Sequence, residues 1–146
     1  MSTLPTPTDV TMLLYRDGRF LMQRRSDVNP ETGRPPRYPG AWCFPGEHIE
    51  DTRESAYGAV VRGAREEYGL FISHTGTCWH LTTYQHDGDV DAVYFVEVPP
   101  DQEPVLKEGK AMAWKTFDEV RRLSLAFEEE RILPAIRDFL AMRYRP

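Results

Sequence analysis

The chain has 146 residues, 40% of them hydrophobic and 12% aromatic, which suits one globular domain over residues 1–146 with a real core and excludes a disordered polypeptide. A formal net charge of −5 and a pI near 5.4 speak against general nucleic-acid affinity, which wants a basic stripe. No apolar run approaches the length of a membrane-spanning helix.

Residues 1–8, containing the Pro/Thr-rich run STLPTPT, read as a frayed arm and not as a targeting peptide. Two cysteines, Cys43 and Cys78, stand in no metal-type spacing, and cytoplasmic thiols are the expectation. Val10 to Tyr15 and Phe20 to Arg24 are β-prone runs joined by Arg16-Asp17-Gly18-Arg19, where Asp-Gly signals a hairpin turn. Residues 26–40, with four prolines and two glycines, predict a long irregular loop of the kind that tends to be functional or disordered. Its place before the strand at Trp42 makes Arg34, Arg37 and Tyr38 candidates for substrate contact.

The stretch from Trp42 to Leu70 carries a Phe44-Pro45-Gly46 turn, a carboxylate-rich loop and then a helix over roughly residues 53 to 68. Asp51 or Thr52 can cap that helix, with Glu54 completing a capping box. Ala56, Val60 and Ala64 recur at helical spacing, and Gly69 sits where a glycine ends a helix. On it Glu66 and Glu67 lie one turn beyond position 63, while Glu54 and Arg62 come together after two turns. Gathered carboxylates beside a glycine turn suit Mg²⁺, which is commonly held by a few acidic side chains, water and substrate phosphate. A solvated acidic helix face is the plainer reading of the same charges.

Phe71-Ile72 starts another extended region. Trp79 to Tyr84 and Val90 to Val98 flank Asp87-Gly88 as a second hairpin. Alternation puts Ala92, Tyr94, Val96 and Val98 on one face of the later run and Asp91, Val93, Phe95 and Glu97 on the other, and a central strand is expected. The four histidines lack zinc-type spacing, and His48 alone neighbours the acidic loop. Residues 128–142 show apolar positions at helical spacing, with Pro134 as a kink unless it lies in a first turn. This helix is expected to cover the sheet face opposite the first.

The stretch from Trp42 to Leu70 resembles the Nudix hydrolases. Their box runs glycine, five residues, glutamate, seven residues, then Arg-Glu-apolar-any-Glu-Glu-any-Gly-apolar. Glu54, Arg62, Ala64, Glu66, Glu67, Gly69 and Leu70 fall in register with it, and Phe44-Pro45-Gly46 matches the usual approach to it. Three features depart: Glu47 replaces the second glycine, one extra residue precedes Glu54, and Gly63 replaces the glutamate after the arginine, which in family enzymes commonly ligates metal.

The resemblance implies an α/β/α sandwich with a mixed β-sheet and two main helices, compatible with the elements read above. It implies hydrolysis of a nucleoside-diphosphate-linked or related diphosphate, with Mg²⁺ or Mn²⁺ as cofactor. Glu66, Glu67 and the Gly46 carbonyl would hold the metal, and Glu54 with Arg62 would orient the loop and helix. Glu108, which precedes the Trp114 strand, matches by position a glutamate that completes the metal site or acts as base. Glu47 and Glu50 are alternatives for the carboxylate absent at position 63. Arg25 and Arg37 are the candidates for binding a small phosphorylated substrate. Family members often dimerise, and a homodimer is open to this chain. Gly63 and Glu47 also fit a module that binds a phosphorylated ligand without cleaving it.

Overall fold

The computed structural model describes residues 5–50, 53–72, 77–106 and 111–144. Strands β1 (Asp9–Arg16) and β2 (Arg19–Arg24) form the first hairpin. Its turn puts Asp17 at φ 50° and Gly18 at φ 78°, the two positive values that a tight two-residue turn demands. Tyr15 pairs with Phe20 and Arg16 with Arg19 at the turn. Farther along, β1 pairs instead with β4 (Gly46–His48), and β2 pairs with β3 (Trp42–Cys43). The Met12 N–H donates to the Pro45 carbonyl at 2.8 Å. The segment carrying Phe44-Pro45-Gly46 is thus wedged into the hairpin it follows.

The second hairpin joins β5 (Cys78–His86) and β6 (Asp89–Glu97) through Asp87 and Gly88, again both at positive φ. Strand β6 lies between β5 and β1 and runs parallel to β1 from Asp91 opposite Asp9 to Glu97 opposite Tyr15. β7 (Ala111–Thr116) pairs with β2. The sheet is therefore mixed, with β6 central as expected. Phe71 and Ile72 belong to no strand, and β5 begins only at Cys78.

Helix α1 spans Ala56–Tyr68, starting later than expected. Its cap is Ser55, whose hydroxyl accepts from the Gly58 N–H at 2.9 Å, while Glu54 is drawn to Arg62. Asp51 and Thr52 lie outside the described residues. Gly69, left-handed at φ 66°, donates back to the last turn and ends the helix as its position predicts. Helix α2 (Phe117–Arg121) opens on a Thr116–Glu119 capping box. The expected C-terminal helix divides into a 3-10 turn at Glu129–Ile132 and helix α3 (Leu133–Arg143), which leaves Pro134 in a first turn where its missing N–H costs nothing.

The alternation of β6 sorts the core into two layers. Ala92, Val96 and Val98 pack with Val10, Met12, Leu14 and the buried face of α1, Ala59, Val60 and Ala64. Val93 and Phe95 face the other way, with Leu13, Phe20, Met22 and Ile136 of α3. Phe95 lies 4.5 Å from Phe139 between ring centroids and edge-on to Phe20. The two helices thus cover opposite faces, giving the expected α/β/α layering. Thr8, within the expected arm, donates its N–H to the Val90 carbonyl. No helix among the described residues is long and apolar enough to cross a membrane.

Candidate active site

Arg62 organises the loop before α1. Its Nε donates to Glu54 Oε2 at 2.8 Å and its Nη2 to Glu54 Oε1 at 3.1 Å, a two-pronged contact that a planar guanidinium is shaped to make. Nη2 also donates to the His48 carbonyl at 2.7 Å. Nη1 faces Glu50 at 3.4 Å, Glu66 at 3.5 Å and Glu47 at 3.8 Å. One cation, with only 14% of its side chain exposed, therefore offsets several carboxylates. The Glu54 hydrogen bond, ahead of the surrounding negative charge, drives its pKa still higher, and Arg62 stays charged at any physiological pH.

Beside this cluster opens a cavity of about 310 Å³. Gly46, Glu47, His48 and Glu67 form its acidic rim, and Gln23, Tyr68 and Phe44 lie deeper. The close fit at the rim explains Gly46: a Cβ there would come 3.2 Å from the Val10 carbonyl oxygen. Tyr68 is buried, accepts from Gln23 Nε2 at 2.9 Å, and has its pKa raised by burial first and then by the Glu67 charge. Glu66 is half exposed and turns to Arg62; the cavity wall takes Glu67 and not Glu66. His48 pairs with Asp9 through Nδ1.

The far wall holds polar groups that the sequence pattern did not single out. Glu129 is 2% exposed, and its Oε1 accepts the Phe44 N–H at 3.0 Å. Burial, only partly offset by that bond, pushes its pKa well above the carboxylate range and favours the neutral acid. Asp91 accepts from Thr11 Oγ1 at 2.7 Å and lies 3.1 Å from His86 Nε2; burial raises its pKa despite both bonds. Its placement had a signal in the sequence, since Asp91 shares the inward face of β6 with Val93 and Phe95. Glu129 had none. It sits in an acidic run that suits a helix start, and it turns inward because Phe127 and Glu128 adopt φ of 58° and 54°, a costly conformation for two consecutive non-glycine residues.

Of the two candidate phosphate-binding arginines, Arg25 lines the cavity, with its guanidinium 4.9 Å over the Phe127 ring and its Nε donating to the Arg37 carbonyl at 2.7 Å. The Arg37 side chain turns outward to Asp87 at 3.0 Å. Tyr38, at φ 54°, donates to the same Asp87 at 2.6 Å. The 26–40 loop is therefore tied to the tip of the second hairpin, and Asp87 has its pKa lowered chiefly by the Tyr38 hydroxyl. Glu108 lies outside the described residues. Cys78 is shielded enough that burial pushes its thiol up to about 12, which leaves it a poor nucleophile.

A family model for the NUDIX domain matches residues 5–136. The chain belongs to the NUDIX family. Solved structures with this fold include a mutT/nudix family protein from Listeria innocua, 21% identical with a TM-score of 0.75, covering 96% of this chain and 98% of that one. The NUDIX domain of Shewanella oneidensis NrtR, in complex with ADP ribose, is 19% identical with a TM-score of 0.63, covering 94% and 90%. A C. elegans Ap4A hydrolase is 17% identical with a TM-score of 0.66, covering 92% and 98%. No curated protein matches the sequence.

Within the NUDIX frame, the donors at the rim are carboxylate oxygens and a backbone carbonyl, the hard ligands that divalent cations such as Mg²⁺ take. Among the described residues no three His, Cys, Asp or Glu side chains converge into a self-sufficient metal cage. A cation that draws further ligands from water and substrate phosphate does not require one. The residues at the rim fit a divalent metal in that shared role.

Proposed function

We propose that this protein hydrolyses a phosphoanhydride bond in a nucleoside-diphosphate-linked or related diphosphate, with Mg²⁺ or Mn²⁺ as cofactor. The observation that carries this reading is the 310 Å³ cavity with Gly46 and Glu67 on its rim and the Arg62–Glu54 pair behind it. Glu67 and the Gly46 carbonyl would hold the cation, with Glu66 joining them only on turning away from Arg62; when bound, the cation screens the diphosphate charge and lowers the pKa of an attacking water.

The chain's own residues supply the remainder. Arg62 fixes Glu54 and the His48 carbonyl, so the acidic loop keeps its geometry as substrate enters. Arg25, inside the cavity, offers a guanidinium to a phosphate oxygen. Phe127 and Glu129 also line the cavity, where a ring face and a buried carboxyl suit the flat, polar edge of a nucleobase. Glu108 stands as the candidate base. We place the enzyme in the cytoplasm, where thiols such as Cys43 and Cys78 stay reduced.

Purified protein with Mg²⁺ or Mn²⁺, assayed against a panel of nucleoside-diphosphate-linked compounds, is expected to release nucleotide or phosphate from at least one. Silence across the whole panel overturns the hydrolase reading. Gly63 favours a second one, a module that holds a phosphorylated ligand intact, and calorimetric binding without turnover would select it.

A further inference from the structure

Two departures from the family box touch each other in space. Gly63 is buried on the face of α1 that meets β4, and a Cβ placed on it would come 3.2 Å from both Cβ and Cγ of Glu47 and 3.4 Å from Met12 Cε. The stem of Glu47 therefore occupies the space into which a side chain at position 63 would start. Where the family pattern has glycine on the turn and glutamate on the helix, this chain has glutamate at 47 and glycine at 63. The exchange is reciprocal, and it conserves one carboxylate.

The orientation of Glu47 agrees with that exchange. Its side chain is 18% exposed and lines the same cavity as Gly46 and Glu67. After burial, the charges of Glu67 and Glu47 both act on the Tyr68 hydroxyl, which puts both carboxylates within electrostatic reach of that one group. Oε1 of Glu47 accepts the His48 N–H at 3.2 Å and stands 3.8 Å from Arg62. Glu50, the other acid near the gap, is 68% exposed and faces Arg62.

We propose that Glu47 supplies from strand β4 the metal-holding carboxylate that the family pattern puts on the helix at position 63. The cation is then shared between strand and helix, through Gly46 and Glu47 on one side and Glu67 on the other. This rests on the divalent-cation reading above. It also means that any side chain at position 63 has to displace the stem of Glu47.

The test is Mn²⁺ binding to the full chain, followed by the electron paramagnetic resonance signal of free Mn²⁺, with thermal melting alongside. Glu47→Gln, which keeps the side chain's shape, is expected to weaken Mn²⁺ binding about 10-fold or more, as Glu67→Gln does, because affinity at such sites follows ligand charge. Glu50→Gln is expected to bind like the parent. Gly63→Glu alone is expected to lower the melting temperature through overlap with Glu47. Glu47→Gly combined with Gly63→Glu is expected to recover both melting temperature and Mn²⁺ binding.

Parental affinity in Glu47→Gln, with loss confined to Glu67→Gln or moved to Glu50→Gln, overturns the transposed carboxylate and leaves the hydrolase reading intact. A parent chain that binds no Mn²⁺ overturns both. If the double exchange does not fold, the Glu47→Gln comparison decides alone.

Discussion

Arg62 grips Glu54 with two parallel hydrogen bonds, 2.8 and 3.1 Å long, across eight residues of chain. The contact joins the acidic loop to the middle of α1, and several further carboxylates depend on the same guanidinium for charge balance.

Arg62→Lys keeps the charge and loses the fork. We expect stability to fall by about 1.5–3 kcal/mol, the worth of a hydrogen bond to a charged group, and kcat/KM to fall roughly 10²-fold as the loop loosens. Urea denaturation and steady-state kinetics on the substrate found in the panel check the two effects separately. Unchanged values in both would contradict the orienting role.

The raised pKa of Glu129 has a pH signature. Its folded pKa lies well above the unfolded value of 4.5, so the folded chain holds a proton that the unfolded chain has released. That contribution to stability is complete below about pH 4.5 and is lost as pH rises through the folded value. Glu129→Gln, which can still accept the Phe44 N–H, removes the titrating group. The variant is expected to gain melting temperature relative to the parent between pH 5 and pH 8, measured by differential scanning fluorimetry in matched buffers. Asp91, shifted in the same direction, remains in both proteins, and its charge acts on Glu129, so Asp91→Asn in both backgrounds separates the two contributions.

Arg25 and Arg37 separate by position. Arg25→Ala removes a cation from the cavity wall and is expected to raise KM about 10-fold, in line with a lost charge-assisted bond. Arg37→Ala cuts one tie to Asp87 and is expected to act on the loop instead, as faster proteolysis within residues 26–40 and a smaller rise in KM. The reverse ranking of KM effects would return Arg37 to direct substrate contact.

Ser55→Ala removes the side chain that caps α1 and is expected to cost about 1 kcal/mol. Circular dichroism melts check it. A loss near zero would move the cap back to the earlier residues favoured by the sequence pattern.

The fold was legible because its signals are local and redundant. Asp17-Gly18 and Asp87-Gly88 each force a tight turn, the alternation along β6 names both core layers, and Gly69 marks the end of α1. The start of α1 was misread because a cap needs its oxygen at the right backbone angle, and Glu54, which would complete the earlier box, is held by a residue eight positions away. Within the site, the eight-residue spacing of Arg62 and Glu54 and the family resemblance together named the pair, although Glu54 lies just before the helix and not on it. Glu129 could not be found, since its inward turn comes from two left-handed residues that nothing in their composition announces. Glu47 and Glu50 could both be named as alternatives for the carboxylate missing at position 63, but the contact that separates them crosses from strand to helix and leaves no trace in the spacing.

Thr11 and Asp91, hydrogen-bonded in the finished sheet, stand 80 residues apart along the chain. The parallel pairing of β1 with β6 therefore cannot begin during synthesis until Asp89–Glu97 has left the ribosome. Until then the nascent first hairpin carries Met12, Leu13 and Leu14 with one edge uncovered, a surface on which chaperones can act. Assembly governed by so distant a partner is slow for a chain of this size, and the delay falls on the strand against which the cavity is built.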